Sequence, residues 1–135
     1  MRDDVRDPVL LVPSTAKGHG TGHLRRCLAL AEQTGADIFV PHDAALAEAQ
    51  PLVNEYIGSG RIKLRQLVRS LPSAGYSLVV SDAFALSTAL AKQLYALAPV
   101  CAIDEGSRNA HYCSYMLDII PGIAKKRCVN GCHFV

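Results

Sequence analysis

Tryptophan is absent from this chain of 135 residues, and aromatic side chains make up only 6% of it. A core must therefore be built from aliphatic side chains. Neither sign of charge dominates. Fourteen Lys and Arg against twelve Asp and Glu leave a formal charge of +2, too small a surplus to argue for a nucleic-acid partner. Long apolar runs are missing too. No window approaches the ~18 consecutive apolar residues of a membrane span. The opening Met1-Arg-Asp-Asp-Val-Arg-Asp7 lacks the apolar centre of a signal peptide, so the cytoplasm is the expected location. The five cysteines (Cys27, Cys101, Cys113, Cys128 and Cys132) are odd in number and irregularly spaced. They read as reduced thiols rather than a disulfide framework. There is no internal repeat and no low-complexity segment.

Half of the residues are hydrophobic and 19% are charged, the balance of one packed domain. Short, continuously apolar segments alternate with helical periodicity. Val9–Val12 reads as a strand buried on both faces. Leu24, Cys27, Leu28 and Ala31 recur at helical spacing, and Gly35 stops that helix. Asp37–Val40 is a second strand. Asp43 is a plausible N-cap for a helix over 44–56. Arg61–Leu64 alternates like an edge strand, and Gln66–Leu71 reads as a helical turn. Further strands are expected at Tyr76–Val80, Val100–Ile103 and Met116–Ile120, with a helix from Ser87 to Leu97 between the first two. This order predicts an α/β fold, a Rossmann-like doubly wound and mostly parallel sheet. The domain spans 8–122. The tail 123–135, with a basic Lys125-Lys-Arg127 and a Cys128-x₃-Cys132-His133 run, fits no element or metal spacing.

In such sheets ligands meet the carboxyl ends of the strands. Three stretches fall there: Lys17–His23, Asp82–Phe84 and Asp104–His111. The first holds Gly18, Gly20 and Gly22, whose freedom suits a loop that brings backbone N–H groups to an anion or a sugar hydroxyl. A dinucleotide loop would continue G-x-G-x-x-G, and His23 stands where the third glycine belongs. A P-loop would need Gly-Lys-Ser/Thr, also absent. No acidic residue directly ends the second strand; Asp43 lies slightly beyond. His23, at a helix start, is either a general base or simply a residue that hydrogen-bonds the helix end. The positive end of a helix dipole disfavours a protonated imidazole. One of Arg25 and Arg26 could reach an anionic ligand, the other being solvated. Asp82 and Asp104 either touch a ligand hydroxyl or brace a loop. Asp104-Glu105 lacks a third metal ligand, and His111 and Cys113 read as packing residues.

Two stretches carry a resemblance. Gly20-Thr-Gly-His-Leu-Arg-Arg-Cys-Leu-Ala-Leu-Ala31 resembles the first signature of the nucleotide-sugar hydrolase of pseudaminic acid biosynthesis and its spore-coat polysaccharide relatives. Val100-Cys-Ala-Ile-Asp-Glu-Gly-Ser-Arg-Asn-Ala-His-Tyr-Cys113 resembles the second. The resemblance implies the N-terminal type of GT-B domain, with the site in a cleft between two such domains. It implies a reaction in which water attacks the anomeric carbon of a UDP-sugar and UDP leaves. It maps the water-activating base to His23 and the signature arginine to Arg26. It departs at Phe84, where the family carries a tyrosine, and the chain stops where a UDP-binding second domain would start.

The sequence thus supports a UDP-sugar hydrolase-like or glycosyltransferase-like domain. His23 is its base; Gly18, Gly20, Gly22, Arg26, Asp82 and Asp104 meet the substrate. No cofactor, metal or nucleic acid is required, and a homo-oligomer is one way to complete the cleft. The alternative is a sugar- or protein-binding remnant without catalysis. A nucleotide-cofactor domain is a third reading.

Overall fold

A computed structural model describes residues 8–83, 86–103, 108–117 and 133–134. Among the described residues seven strands form one sheet: β1 (Val9–Pro13), β2 (Asp37–Phe39), β3 (Leu67–Val68), β4 (Leu78–Asp82), β5 (Val100–Ile103), β6 (Tyr115–Leu117) and β7 (His133–Phe134). Their order is β3-β2-β1-β4-β5-β6-β7, and every described pairing is parallel. The chain runs outward in one direction from β1 to β3, then returns to start β4 beside β1. The switch point of this Rossmann-like sheet lies between β1 and β4. There Pro13 stands opposite Asp82, and the Ser14 N–H donates to the Asp82 carbonyl at 2.9 Å.

Three α-helices occur among the described residues: α1 (Gly22–Thr34), α2 (Ala49–Gly58) and α3 (Thr88–Leu97). Period-two alternation divides β1 between two cores. Leu10 and Val12 pack with Val79, Ala91, Leu94 and Ala102 on the α3 face. Leu11 packs with Leu24, Leu28, Ile38, Leu52 and Val53 on the α1–α2 face. Right-handed crossovers require this arrangement: α1 and α2 accompany leftward steps, α3 a rightward one. Because both faces are covered, β1 and the Leu78–Val80 part of β4 read as continuous apolar runs rather than alternating ones.

The helix boundaries have local causes. Gly35 takes φ 74° and its N–H closes α1 on the Ala31 carbonyl. The Ser87 hydroxyl accepts from the Leu90 N–H and caps α3. Three expectations fail between β2 and β4. The second helix begins at Ala49 rather than Ala44, and Asp43 does not cap it; Glu48 holds the cap position. Arg61–Leu64 is not a strand. Arg61 is drawn sideways onto Glu32 and over the Tyr56 ring, while Ile62 is buried. Nor is Gln66–Leu71 helical. A single 3₁₀ turn, Leu64–Gln66, leads into β3. The buried Gln66 amide decides this. It accepts from the Lys63 N–H at 2.8 Å and donates to the Ala31 and Ala36 carbonyls, so all its principal groups are satisfied. Residues 118–120 of the expected last strand, and nearly all of the 123–135 tail, lie outside the described residues.

Candidate functional site

The C-terminal end of β4 presents Asp82 to α1. Strand parity sets this direction: Val79 faces the α3 core and Val80 the α1 core, so Asp82 also looks toward α1. Its side chain is fully buried. Such a carboxylate requires partners, and α1 supplies them from its first two turns. His23 Nδ1 lies 2.8 Å from Asp82 Oδ1. Arg26 grips the same carboxylate with a fork, Nε to Oδ2 at 2.5 Å and Nη2 to Oδ1 at 2.6 Å. Residues three apart on a helix share a face, which is why one carboxylate can take both.

The charges fix the roles. Guanidinium is always protonated and matches a carboxylate with two parallel bonds, so Asp82 is ionised and can only accept. His23 Nδ1 must then carry its hydrogen, which assigns Nε2 as the nitrogen able to take up a proton. His23 is 6% exposed. Cys27, one residue beyond Arg26, is buried beneath the group. Burial pushes its thiol well above the ordinary range; the Asp82 charge adds to this, and Arg26 opposes it. It is an inert core thiol.

The Gly-rich segment leads directly into α1 and His23. Gly18 and Gly20 take φ 84° and 70°, a region costly for other residues. Gly22 has no such requirement and opens α1. A Cβ placed at any of the three meets nothing within 4 Å, so the space above the loop is open. His19 Nδ1 lies 3.0 Å from the Ser14 hydroxyl. Arg25 is exposed, and its Nε donates to the Thr21 hydroxyl.

Beside this loop, on the α3 side of the switch point, an open cleft of about 340 Å³ separates the ends of β1, β2 and β4. Phe39, Leu86 and Leu90 give it apolar walls, and Ser14, Asp43 and Ser87 give it polar ones.

His23, Arg26 and Asp82, singled out from two places in the sequence, therefore form one cluster, with Gly22 directly before His23. Arg26 and Asp82, both expected to meet substrate, pair with each other, and Asp82 also meets His23. The cleft was not anticipated, because the helix expected from Ala44 would have occupied its β2 side. Asp104 and Phe84 lie outside the described residues, as do Lys125–Arg127, Cys128 and Cys132. Among the described residues no group of three His, Cys, Asp or Glu could hold a metal ion, and no helix is long and apolar enough to cross a membrane. No family model, curated protein or solved structure matches the chain.

Proposed function

We propose that this domain processes a sugar nucleotide, with His23 as the general base. The observation that carries the reading is the His23–Asp82 hydrogen bond at the switch point, 2.8 Å long and backed by Arg26. A carboxylate that holds Nδ1–H presents Nε2 as the base and stabilises the imidazolium that forms. Water loses a proton to His23 Nε2 as its oxygen bonds to the anomeric carbon. The bond from that carbon to the diphosphate oxygen breaks, and the diphosphate leaves with the electron pair. Gly18, Gly20 and Gly22 suit the loop to receive the phosphates through backbone N–H groups. Asp82 is a positioning residue, and Arg26 holds its carboxylate with two hydrogen bonds. The sequence resemblance supports UDP as the leaving nucleotide.

A second reading, binding without chemistry, draws on the burial of His23, whose side chain is 8% exposed. One experiment separates the two. UDP-sugars are incubated with the chain and UDP release is followed by phosphorus NMR. The catalytic reading expects release that falls at least 100-fold in His23→Gln, with circular dichroism unchanged. No release by the unaltered chain, or undiminished release by His23→Gln, overturns it.

A further inference from the structure

The cleft on the α3 side uses none of the three side chains in the His23 cluster, and its chemistry differs. We propose that it seats the base and ribose of a ribonucleoside, with the Asp43 carboxylate accepting from the ribose hydroxyls.

Four observations point there. The first is position. The cleft lies between the carboxyl ends of β1, β2 and β4, at the crevice where open parallel sheets receive ligands. The second is the lining. Phe39, Leu86 and Leu90 form apolar surface suited to the face of a flat ring, and among the described residues no Lys or Arg lines the cleft. The charge that the described lining offers is that of Asp43, which repels a phosphate, so the uncharged end of a nucleotide fits this lining better than the charged end. The third is size. About 340 Å³ lies at the small end of the ~300–1,000 Å³ of small-molecule sites, room for a base with its sugar rather than a longer chain. The fourth is rigidity. The Leu46 N–H donates to the Thr15 carbonyl at 2.9 Å, tying the Asp43 loop to the loop after β1. Gln50 Nε2 donates to the Pro41 carbonyl at 3.0 Å. Ser87 is held by the Leu90 N–H and Ser14 by His19. Walls tied in this way need little reordering on binding.

Asp43 follows β2 and lies about twenty residues beyond the Gly-rich loop, the separation at which an acidic residue meets a ribose in dinucleotide folds. The missing third glycine concerns helix packing at the phosphate end and leaves this end untouched.

The test titrates the full ¹⁵N-labelled chain with uridine, adenosine, their 2′-deoxy forms, methyl glucoside and inorganic phosphate. A ribonucleoside is expected to shift the amides of 43–45 and 86–90 with a millimolar or tighter dissociation constant. Removing the 2′-hydroxyl weakens binding about fivefold, as does Asp43→Asn, and the two losses do not add. Ala45→Phe, an exposed lining position, fills the cleft and weakens binding at least about tenfold. His23→Gln leaves it unchanged, so this proposal and the catalytic reading fail separately. It is overturned if neither nucleoside shifts these amides, if the deoxy forms bind equally well, or if methyl glucoside or phosphate binds the cleft more tightly.

Discussion

Replacing Asp82 with Asn tests the central cluster most directly. The substitution keeps side-chain volume but removes the charge, and places an amide where two donors already point. Three hydrogen bonds converge on the carboxylate: one from His23 and two from Arg26. Bonds to charged groups contribute about 1.5–3 kcal/mol each, but the three do not add. The Arg26 side chain is 39% exposed, so its guanidinium can turn to water and recover solvation. Asp82 and His23 have no such outlet. Leaving a buried pair broken costs about 3–5 kcal/mol, and the exposure of Arg26 places this case near 3. For a chain between the small and mid-sized classes, a loss of that size lowers the melting temperature by about 10 °C. Urea denaturation should show a lower midpoint with an unchanged slope. Nitrogen NMR of the His23 imidazole should show hydrogen on Nδ1 in the parent and loss of that preference in the variant. A loss under about 1 kcal/mol, or a parent with hydrogen on Nε2, refutes the arrangement.

Three further outcomes follow from the same geometry. Gly18→Ala and Gly20→Ala should each cost about 1 kcal/mol through positive φ alone, whereas Gly22→Ala, in a helical position, should be neutral or stabilising by up to about 1 kcal/mol; chemical denaturation ranks them, and equal effects at all three sites contradict the loop conformation. Ser81 has a fully buried hydroxyl without a hydrogen-bond partner among the described residues, so Ser81→Ala should raise stability by about 1 kcal/mol, read as a higher thermal midpoint. The raised thiols of Cys27 and Cys101 give stability that is fully present below the unfolded-state value of about 8.5. Above it the unfolded chain ionises first and stability falls, by up to about 1.4 kcal/mol per pH unit for each thiol. Cys27→Ala should flatten the decline between pH 9 and 11 in urea titrations; an unchanged slope contradicts the burial of that thiol.

Local chemistry made much of the fold readable. β1 and β5 are apolar runs, α1 ends at a left-handed glycine, and α3 starts on a serine cap; each signal acts within a few residues. The region from 41 to 71 misled for the same reason. Its alternation at Arg61–Leu64 mimics a strand, but Glu32, distant in sequence, holds Arg61 together with the nearby Tyr56, and the remote carbonyls of Ala31 and Ala36 hold Gln66. A strand as short as β3 leaves almost no periodicity to find.

The sequence alone determined an α/β chain with a Gly-rich turn feeding a helix, and it singled out His23, Arg26 and Asp82 one by one. Helical spacing even put His23 and Arg26 on one face. Only the tertiary structure decided that Asp82 joins them, because parallel pairing of β1 with β4 carries it across 59 positions of chain to His23. Strand parity, counted from Val80, was the one signal that could have aimed its side chain at α1. Beyond the spacing of Asp43 from the Gly-rich loop, the cleft has no sequence signature. It exists because three separate strand ends stop at one level of the sheet, and that level is set by register, which pairing between distant segments establishes.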